Sequence, residues 1–354
     1  MARIEHQTIA VDSERLLAFC RAVLLAQDVP EADAGYVAWH LVETNLRGTD
    51  THGVARLPHY VRRLKAGSIR ARPDIRFEER GASAGIVDGG DGLGHLATLE
   101  ATECAARLAE RSGAGWVSIR NSSHCGALAP YGLRLAERGM IGIVFTHVDP
   151  MVMPFGGAGP FCGTNPICLS APGADGRTLC LDMATSLVPW NLVANAAAEG
   201  VPIPRGWGVD GNGEETTDAT AVRALHPFGA HKGSGLGIMI DVFCSMLSGA
   251  PFGPDIPRMY GDLGERRRLG GLVGAIAIAP FLDRAVFERR VSEMAARLGD
   301  VPPARGFERV RFPGEPELET KRQRLAAGIP VGVGVFAELG ELAASCGLPP
   351  LEAV

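Results

Sequence analysis

Residues 47–60, with the sequence RGTDTHGVARLPHY, concentrate side chains that could bind an anion and transfer a proton. If this segment is helical, His52 and Arg56 lie one turn apart on one face, and Tyr60 continues the same line. A guanidinium can grip a carboxylate with a forked pair of hydrogen bonds, and an imidazole can exchange a proton with a reacting oxygen. The segment therefore indicates a site for a small 2-oxo or 2-hydroxy acid, with a solvated helix end as the alternative.

Two further segments carry polar side chains where strands are predicted to end. His124 follows the buried run GWVSI, at a position where α/β proteins commonly place functional residues, and a histidine suits proton exchange at neutral pH. A structural histidine is the alternative there. Residues 145–166 run from an apolar strand into a loop rich in glycine and proline that ends near Thr164 and Asn165. This composition predicts a loop that folds over a ligand.

The two common nucleotide-binding fingerprints, GxGxxG and GxxxxGK[ST], are absent from the sequence. A nucleotide would therefore need a surface other than that of a Rossmann fold or a P-loop. Two segments at predicted helix starts could offer backbone N–H groups or a cation to phosphates: HKGSG, with Lys232 and Gly233, and FPGEPE, with Pro313, Gly314 and Glu315. Glycine at a helix start also serves close packing, so neither segment is decisive by itself.

The composition limits the classes of protein that the chain can represent. Its 354 residues, 46% of them hydrophobic, exceed the size at which one core usually keeps growing, and we expect two domains. A formal net charge of −5 supplies no uniform positive field, so nucleic acid and anionic membranes are not expected as principal partners. The amino terminus does not resemble a secretory signal and the eight cysteines form no CxxC pair, so we expect a cytoplasmic protein.

Hydrophobic periodicity and turn residues predict regular structure along most of the chain. Helices are expected over residues 12–27, 30–46, 58–67, 96–111, 127–138, 233–249 and 313–328, and strands over residues 75–80, 83–89, 115–121, 140–147, 178–184 and 271–280. Strand and helix alternate in the middle of the sequence, which indicates an α/β layer. The pattern of predicted elements and turn residues changes near residues 120 and 310, and we place the domain boundaries there.

Seven segments of the chain resemble, in order, those of the type 2 malate/L-lactate dehydrogenase family, which are non-Rossmann NAD(P)-dependent oxidoreductases. The segments are NLRGTDTHGVARLPHY, NSSHCGA, DPMVMPFGGAGPFCGTNP, LDMATS, IPRGWGVDGNGEETTD, HKGSGLGIMIDVFCSMLSGAPFG and FPGE. The resemblance implies a sulfolactate/malate dehydrogenase-like α/β fold, with a mixed sheet, flanking helices and a mainly helical second domain. Residues 1–120 with 310–354 would form the helical, substrate-binding and dimerisation domain, and residues 121–309 would bind the dinucleotide. Members of the family form homodimers with sites near the subunit interface.

The same resemblance implies roles for individual residues. His52 lies in the family's [ST]HG motif and His124 in its NSxHxG motif, and either one is the catalytic acid or base in different members. The implied substrate contacts are Arg56, Tyr60, Thr164 and Asn165. The implied cofactor contacts are Val148, Asp182, Met183, Ala184, Lys232, Gly233, Pro313, Gly314 and Glu315. This chain departs from the family pattern at His147 and Val148, where relatives carry Asn-Ser or Ser-Ser, and at Asn191 and Leu192, where relatives carry Gly-Lys. The cofactor therefore stays open between NAD and NADP.

The predicted activity is hydride transfer between nicotinamide and a small 2-hydroxy or 2-oxo acid. The segments DPMVMPFGGA, TAVRALHPFGAHKG, DVFCSMLSGAPFG and RMYGDLG are most similar to those of family members that oxidise ureidoglycolate. Three alternatives stay open: reduction of a cyclic imino acid such as piperideine-2-carboxylate, a catalytically idle family member, and a metallohydrolase. The last would use His52, His124, His147 and Asp149, but no HExxH or other short ligand spacing occurs, and no metal site is expected.

Overall fold

The computed structural model describes residues 7–354. The helices in this range are α1 (Ser13–Leu25), α2 (Glu31–Leu46), α3 (Leu57–Ala66), α4 (Gly94–Ser112), α5 (Ala129–Glu137), α6 (Trp190–Glu199), α7 (His231–Asp241), α8 (Arg284–Gly299), α9 (Glu315–Ala327) and α10 (Val333–Ser345). The strands are β1 (Thr8–Val11), β2 (Arg76–Gly81), β3 (Ala84–Asp88), β4 (Ala114–Ser122), β5 (Met140–Thr146), β6 (Ile167–Ala171), β7 (Leu179–Met183), β8 (Gly208–Val209), β9 (Ala224–Leu225), β10 (Leu269–Ala277) and β11 (Ile329–Gly332).

A mixed seven-stranded sheet forms the centre of the molecule, in the order β2-β3-β4-β10-β5-β6-β7. The pair β3–β4 is parallel, and every other neighbouring pair is antiparallel. Strand β10 pairs on both sides, which suits its apolar sequence LGGLVGAIA. Helices α4 and α5 cover the sheet, and Gly115 lets α4 approach closely, since a Cβ there would lie 2.1 Å from the carbonyl oxygen of Ala105. The predicted α/β fold class is confirmed.

A second core is mainly helical and joins the two ends of the described chain. Buried side chains from α1, α2, α3 and α10 pack there, and β1 pairs antiparallel with β11. The start of α1 follows its sequence signal, because the Asp12 carboxylate accepts hydrogen bonds from the backbone N–H groups of Glu14 and Arg15, each at 3.0 Å.

The two cores are continuous with one another. Tyr36 and Ile75 pack against both of them. Strands β2 and β3 belong to the sheet, and α4 packs on it, although all three precede residue 120. The division into residues 1–120 with 310–354 and residues 121–309 stays a prediction.

The long apolar helix expected over residues 233–249 is interrupted in the structure. The α-helical part, α7, ends at Asp241, and the next five residues, Val242–Met246, form one π-helical turn. This turn lies directly over the start of β10, where a Cβ on Gly270 would stand 2.0 Å from the carbonyl oxygen of Cys244. Within residues 7–354, every helix is too short or too polar to cross a membrane.

Candidate active site

A cavity of about 480 Å³ lies between the segment before α3, the loop after β4 and the end of β7. Eight of the predicted site residues line it: His52, Arg56, His124, Val148, Thr164, Asp182, Met183 and Ala184. These residues come from five separate parts of the chain, so the fold brings together side chains that are distant in sequence.

The segment that carries His52 and Arg56 has a different conformation from the one expected. Asp50–His52 and Val54–Arg56 are two 3₁₀ turns, and the α-helix begins only at Leu57. The chain kinks at Gly53, which has φ −86° and ψ −143°. Asn45 fixes this kink, because its Oδ1 accepts the Val54 N–H at 2.8 Å and occupies the space that a Cβ on Gly53 would need. His52 and Arg56 face one cavity, although they are not on one α-helical face.

Arg56 is a buried cation whose hydrogen-bond partners are all neutral. Its side chain is 8% exposed, Nε donates to the carbonyl oxygen of Thr51 at 2.7 Å, and Nη1 donates to the hydroxyl of Tyr260. None of the carboxylates between residues 7 and 354 forms an ion pair with it. A buried charge is normally compensated by an opposite charge, so this guanidinium is suited to an anionic ligand.

His124 is held from behind by a buried phenol. Its Nδ1 lies 2.6 Å from the Tyr60 hydroxyl and 3.3 Å from the backbone N of Gly126. Burial lowers the pKa of His124 well below its usual range, and the nearby His52 and Arg56 lower it further. The imidazole is therefore neutral at pH 7, and Nε2 is the ring nitrogen left for the cavity.

His52 forms the adjacent part of the cavity wall. Its ring stacks on that of His124, with centroids 5.5 Å apart and an interplanar angle of 25°. Nδ1 lies 3.0 Å from the hydroxyl of Thr51, and burial together with the Arg56 charge lowers the pKa of His52 to about 4. The cavity therefore contains two neutral imidazoles beside one permanent cation.

Two residues implied as substrate contacts lie behind the cavity wall. Tyr60 is fully buried, and its hydroxyl faces His124. Asn165, also fully buried, donates from Nδ2 to the carbonyl oxygen of Gly237 at 2.9 Å and accepts from the N–H of Val148 at 3.4 Å. Asn165 thus ties the glycine-rich loop to α7, while its neighbour Thr164 lines the cavity.

The end of β7 borders both the main cavity and a smaller one. Asp182 borders both, and its Oδ2 accepts the N–H groups of Leu128 and Ala129 at 2.9 and 2.7 Å, at the start of α5. Burial raises the pKa of Asp182 to about 6, and these two hydrogen bonds oppose the shift. Gly314 and Glu317 line the smaller cavity, and Oε2 of Glu317 is buried without a hydrogen-bond partner in the part of the chain described.

The remaining implied cofactor residues do not line either of the two cavities. The Pro313 carbonyl oxygen accepts the Cys180 N–H at 2.9 Å, and the Glu315 carboxylate pairs with Arg309 at 2.7 Å. Lys232 is exposed and Gly233 is buried, both in the first turn of α7. A Cβ on Gly233 would lie 2.0 Å from the carbonyl oxygen of Phe228, a residue of the main cavity.

His147 and Asp149, considered above as metal ligands, have structural partners instead. His147 Nδ1 lies 2.7 Å from the Asp241 carboxylate, and its Nε2 accepts the Gly270 N–H at 2.8 Å. Asp149 pairs with Arg267 in the interior. Across residues 7–354, no group of three or more His, Cys, Asp or Glu side chains is arranged to hold a metal ion.

Sequence reasoning missed the aromatic and thioether walls of the cavity. Met259 and Tyr260 reach it from the loop after α7, and Trp190 and Phe228 reach it from two other segments. The segment RMYGDLG resembles one in the family, and its glycine and proline surroundings predict a loop without a functional role. Its proximity to Arg56 depends on a contact between residues about two hundred positions apart, for which the sequence carries no local signal.

Comparison with known proteins agrees with this geometry. Residues 11–340 match the model of the malate/L-lactate dehydrogenase family. A ureidoglycolate dehydrogenase (NAD(+)) from Escherichia coli is 37% identical over 298 residues, which cover 84% of this chain and 85% of that protein.

Two solved structures extend the likeness to the whole fold. The malate dehydrogenase from Pyrococcus horikoshii has a TM-score of 0.90 and 34% identity, covering 99% of both chains. The delta1-piperideine-2-carboxylate reductase from Pseudomonas syringae has a TM-score of 0.85 and 29% identity, covering 94% of this chain and 99% of the other. The family resemblance and the fold expected from it are confirmed. The chain belongs to the malate/L-lactate dehydrogenase family of oxidoreductases.

Proposed function

We propose that the protein is an NAD-dependent dehydrogenase that acts on a small 2-hydroxy acid, with ureidoglycolate as the first candidate substrate. The observation that carries this proposal is the position of Arg56, a buried guanidinium with no acidic partner in the described chain, in one cavity with His124. The name of the Escherichia coli relative supports both the substrate class and the cofactor.

Arg56 binds the carboxylate of the substrate. Its Nε is engaged by the carbonyl oxygen of Thr51, so the guanidinium keeps a fixed orientation while its other nitrogens face the ligand. This contact places the neighbouring C–OH group of the substrate beside the two imidazoles.

His124 exchanges the proton on the reacting oxygen. In the tautomer that carries its proton on Nδ1 and donates it to the Tyr60 hydroxyl, 2.6 Å away, the neutral imidazole accepts the substrate's hydroxyl proton at Nε2 and becomes an imidazolium. His52 lacks such a buried partner, because its Nδ1 faces the hydroxyl of Thr51 near the cavity surface. We therefore assign proton transfer to His124 and a wall position to His52.

The two cavities, which share Asp182 in their walls, suit a dinucleotide. Val148, Met183 and Ala184 offer apolar contacts to a flat ring in the main cavity, and the carboxylates of Asp182 and Glu317 in the smaller one can accept hydrogen bonds from ribose hydroxyls. The unpartnered Glu317 oxygen supports this assignment. Lys232, Gly233 and Pro313–Glu315 complete the proposed cofactor surface. NAD, when bound, supplies the nicotinamide carbon that accepts the hydride.

The same carboxylates favour NAD over NADP. A 2′-phosphate next to Asp182 or Glu317 would bring like charges together, whereas a 2′-hydroxyl can donate to them. Arg47 also borders the smaller cavity, but Glu43 pairs with it at 2.8 Å.

Reduction of a cyclic imino acid is the second candidate, supported by the likeness to the Pseudomonas syringae reductase. An imino acid also carries a carboxylate for Arg56 and needs a proton at its nitrogen. The experiment is a screen of ureidoglycolate, malate, lactate, sulfolactate and piperideine-2-carboxylate with both cofactors, followed at the nicotinamide absorbance. Turnover of none of them, together with no response of tryptophan fluorescence to NADH or NADPH, would support the catalytically idle alternative instead.

We also propose a homodimer in the cytoplasm. Helix α7 and its π-helical turn expose a continuous apolar surface formed by Ile238, Met239, Val242, Phe243, Met246 and Leu247. A two-fold axis would pair this surface with the same surface of a second copy, as isologous interfaces do. Light scattering after size exclusion tests the dimer, since a monomeric mass would contradict it.

The proposed location in the cytoplasm is supported by the cysteines. All eight are free, as is usual in a reducing compartment.

A further inference from the structure

Tyr260 lies next to Arg56 at the proposed carboxylate site, and the family resemblance implies no role for it. It lines the main cavity, is 59% exposed, and its hydroxyl oxygen accepts a hydrogen bond from Nη1 of Arg56. A phenol has one O–H donor and two acceptor lone pairs. Since a cation already occupies one lone pair, the O–H of Tyr260 points away from Arg56 and is available to a ligand.

The loop that carries Tyr260 is anchored by buried charges. Arg63 donates from Nη2 to the carbonyl oxygens of Met259 at 2.8 Å and Arg258 at 3.3 Å, and from Nη1 to that of Glu265 at 3.0 Å. Arg63 is itself 2% exposed. This guanidinium therefore serves mainly to hold the backbone on both sides of Tyr260.

A second buried pair fixes the same loop from its other side. Arg267 donates from Nε to the carbonyl oxygen of Pro257 at 3.0 Å and pairs with Asp149, whose Oδ2 accepts the N–H of Met259 at 3.2 Å. Burying charged groups is favourable only when they are well hydrogen-bonded, and here most of these bonds go to the backbone of one loop. An exposed aromatic residue on so firmly held a backbone is preorganised for binding.

The geometry points to Tyr260 and Arg56 as a two-residue clamp for the substrate carboxylate, in which Arg56 supplies the charge and Tyr260 donates a second hydrogen bond through its hydroxyl. This inference rests on the proposed function and deepens it, because it makes Tyr260 a determinant of specificity for an ionised carboxylate. An ester or amide in the same place offers weaker acceptors and no charge. The clamp therefore selects acids over their neutral analogues.

The test compares Tyr260→Phe with Tyr36→Phe, a matched loss of one phenolic hydroxyl on α2. Two quantities are measured for each holoenzyme: the steady-state constants for the substrate found in the screen, and the Kd of oxalate for the NADH-saturated protein. Oxalate probes the clamp without requiring turnover. A hydrogen bond to a charged group predicts an increase of at least about tenfold in KM and in the oxalate Kd for Tyr260→Phe. The turnover number and the NADH Kd should stay within about twofold of the wild type, because the clamp does not touch the reacting hydroxyl.

The outcomes separate the clamp from the wider function. The clamp is overturned if KM and the oxalate Kd of Tyr260→Phe equal those of the wild type. It is also overturned if Tyr36→Phe raises these two constants as much as Tyr260→Phe does. If the wild type turns over none of the acids, yet Tyr260→Phe binds oxalate more weakly than the wild type does, the clamp stands and the proposed dehydrogenase activity is contradicted. A circular dichroism spectrum equal to that of the wild type shows that the ring at position 260 is still presented by a folded chain.

Discussion

The hydroxyl of Tyr60 lies 2.6 Å from Nδ1 of His124, on the side of the imidazole that faces away from the cavity. This places a fully buried phenol where its oxygen can orient the ring and accept a hydrogen bond from Nδ1–H when His124 becomes an imidazolium.

Tyr60→Phe should therefore slow the chemical step. Loss of one hydrogen bond to a charged state predicts a fall of about tenfold in kcat, with KM and the NADH Kd within about twofold of the wild type. Steady-state kinetics across a pH series and fluorescence titration measure these quantities. A tyrosine that contacts the substrate would instead raise KM, and that result would contradict the positioning role.

His124→Ala should remove the proton acceptor and leave cofactor binding intact. General acid–base catalysis contributes about 10²- to 10⁴-fold, so kcat should fall by a factor in that range while the NADH Kd is unchanged. His52→Ala is the matched control, since the two rings stack in the same wall. A larger loss of kcat in His52→Ala than in His124→Ala would transfer the role to His52.

Arg56→Leu should mainly weaken substrate binding. Removing a buried guanidinium from a carboxylate predicts an increase of about a hundredfold in KM for an acid substrate. Arg62→Leu is the control, because Arg62 is half exposed and pairs with Glu338 outside the cavity. An unchanged KM in Arg56→Leu would show that Arg56 does not bind the substrate carboxylate.

Gly53→Ala should disturb the kink that presents His52 and Arg56. The added Cβ would lie 2.0 Å from Oδ1 of Asn45, which also accepts the Val54 N–H. We expect a loss of about 1–3 kcal/mol in the free energy of unfolding, measured in urea, together with reduced activity. Gly35→Ala, in α2 with open space around its Cβ, should instead stabilise the protein by up to about 1 kcal/mol. Equal effects at the two glycines would remove the steric explanation.

Buried histidines predict a loss of stability in acid. Burial lowers the pKa of His40 and His59 to about 3 and that of His52 to about 4, and it lowers those of His95 and His124 well below the usual value. Below pH about 6.5 the unfolded chain binds protons that the folded chain does not, so stability falls as the pH drops from about 6.5 towards 4. Asp182, whose pKa is raised to about 6, acts in the opposite direction but is one group.

His95→Leu tests this dependence, because both ring nitrogens of His95 are buried without a partner among the residues described. The variant should reduce the slope of unfolding free energy against pH by up to about 1.4 kcal/mol per pH unit in that window. His231→Gln, at an exposed position, should keep the wild-type slope. Urea unfolding between pH 7 and pH 5 gives all three slopes, and parallel curves would show that His95 contributes nothing.

Local signals explain why most helices could be predicted. The Asp12 cap begins α1, and Gly67, with φ +79°, ends α3 in the left-handed conformation that glycine favours. The kink at Gly53 was missed because it depends on the side chain of Asn45, in the preceding helix. The contact between Tyr260 and Arg56 was missed for the same reason at a longer range. Sequence patterns encode neighbours along the chain, whereas these features depend on tertiary contacts.

Part of the candidate site was recoverable because the family's motifs retain their order in this chain. His52, Arg56, His124 and Asp182 meet in one cavity, as the motifs had suggested separately. The substrate roles implied for Tyr60 and Asn165 stay predictions, since both side chains lie behind the wall and a bound substrate would have to reach them.

The position of β10 constrains the order in which the molecule can assemble. This strand is the only bridge within the described sheet between β2-β3-β4 and β5-β6-β7, yet it follows both groups in the chain. During synthesis, the edges of β4 and β5 must therefore wait unpaired until the ribosome has released β10. Open strand edges recruit other chains, so a nascent polypeptide of this design is exposed to misassembly while residues 147–268 are being synthesised and should benefit from a chaperone that shields those edges.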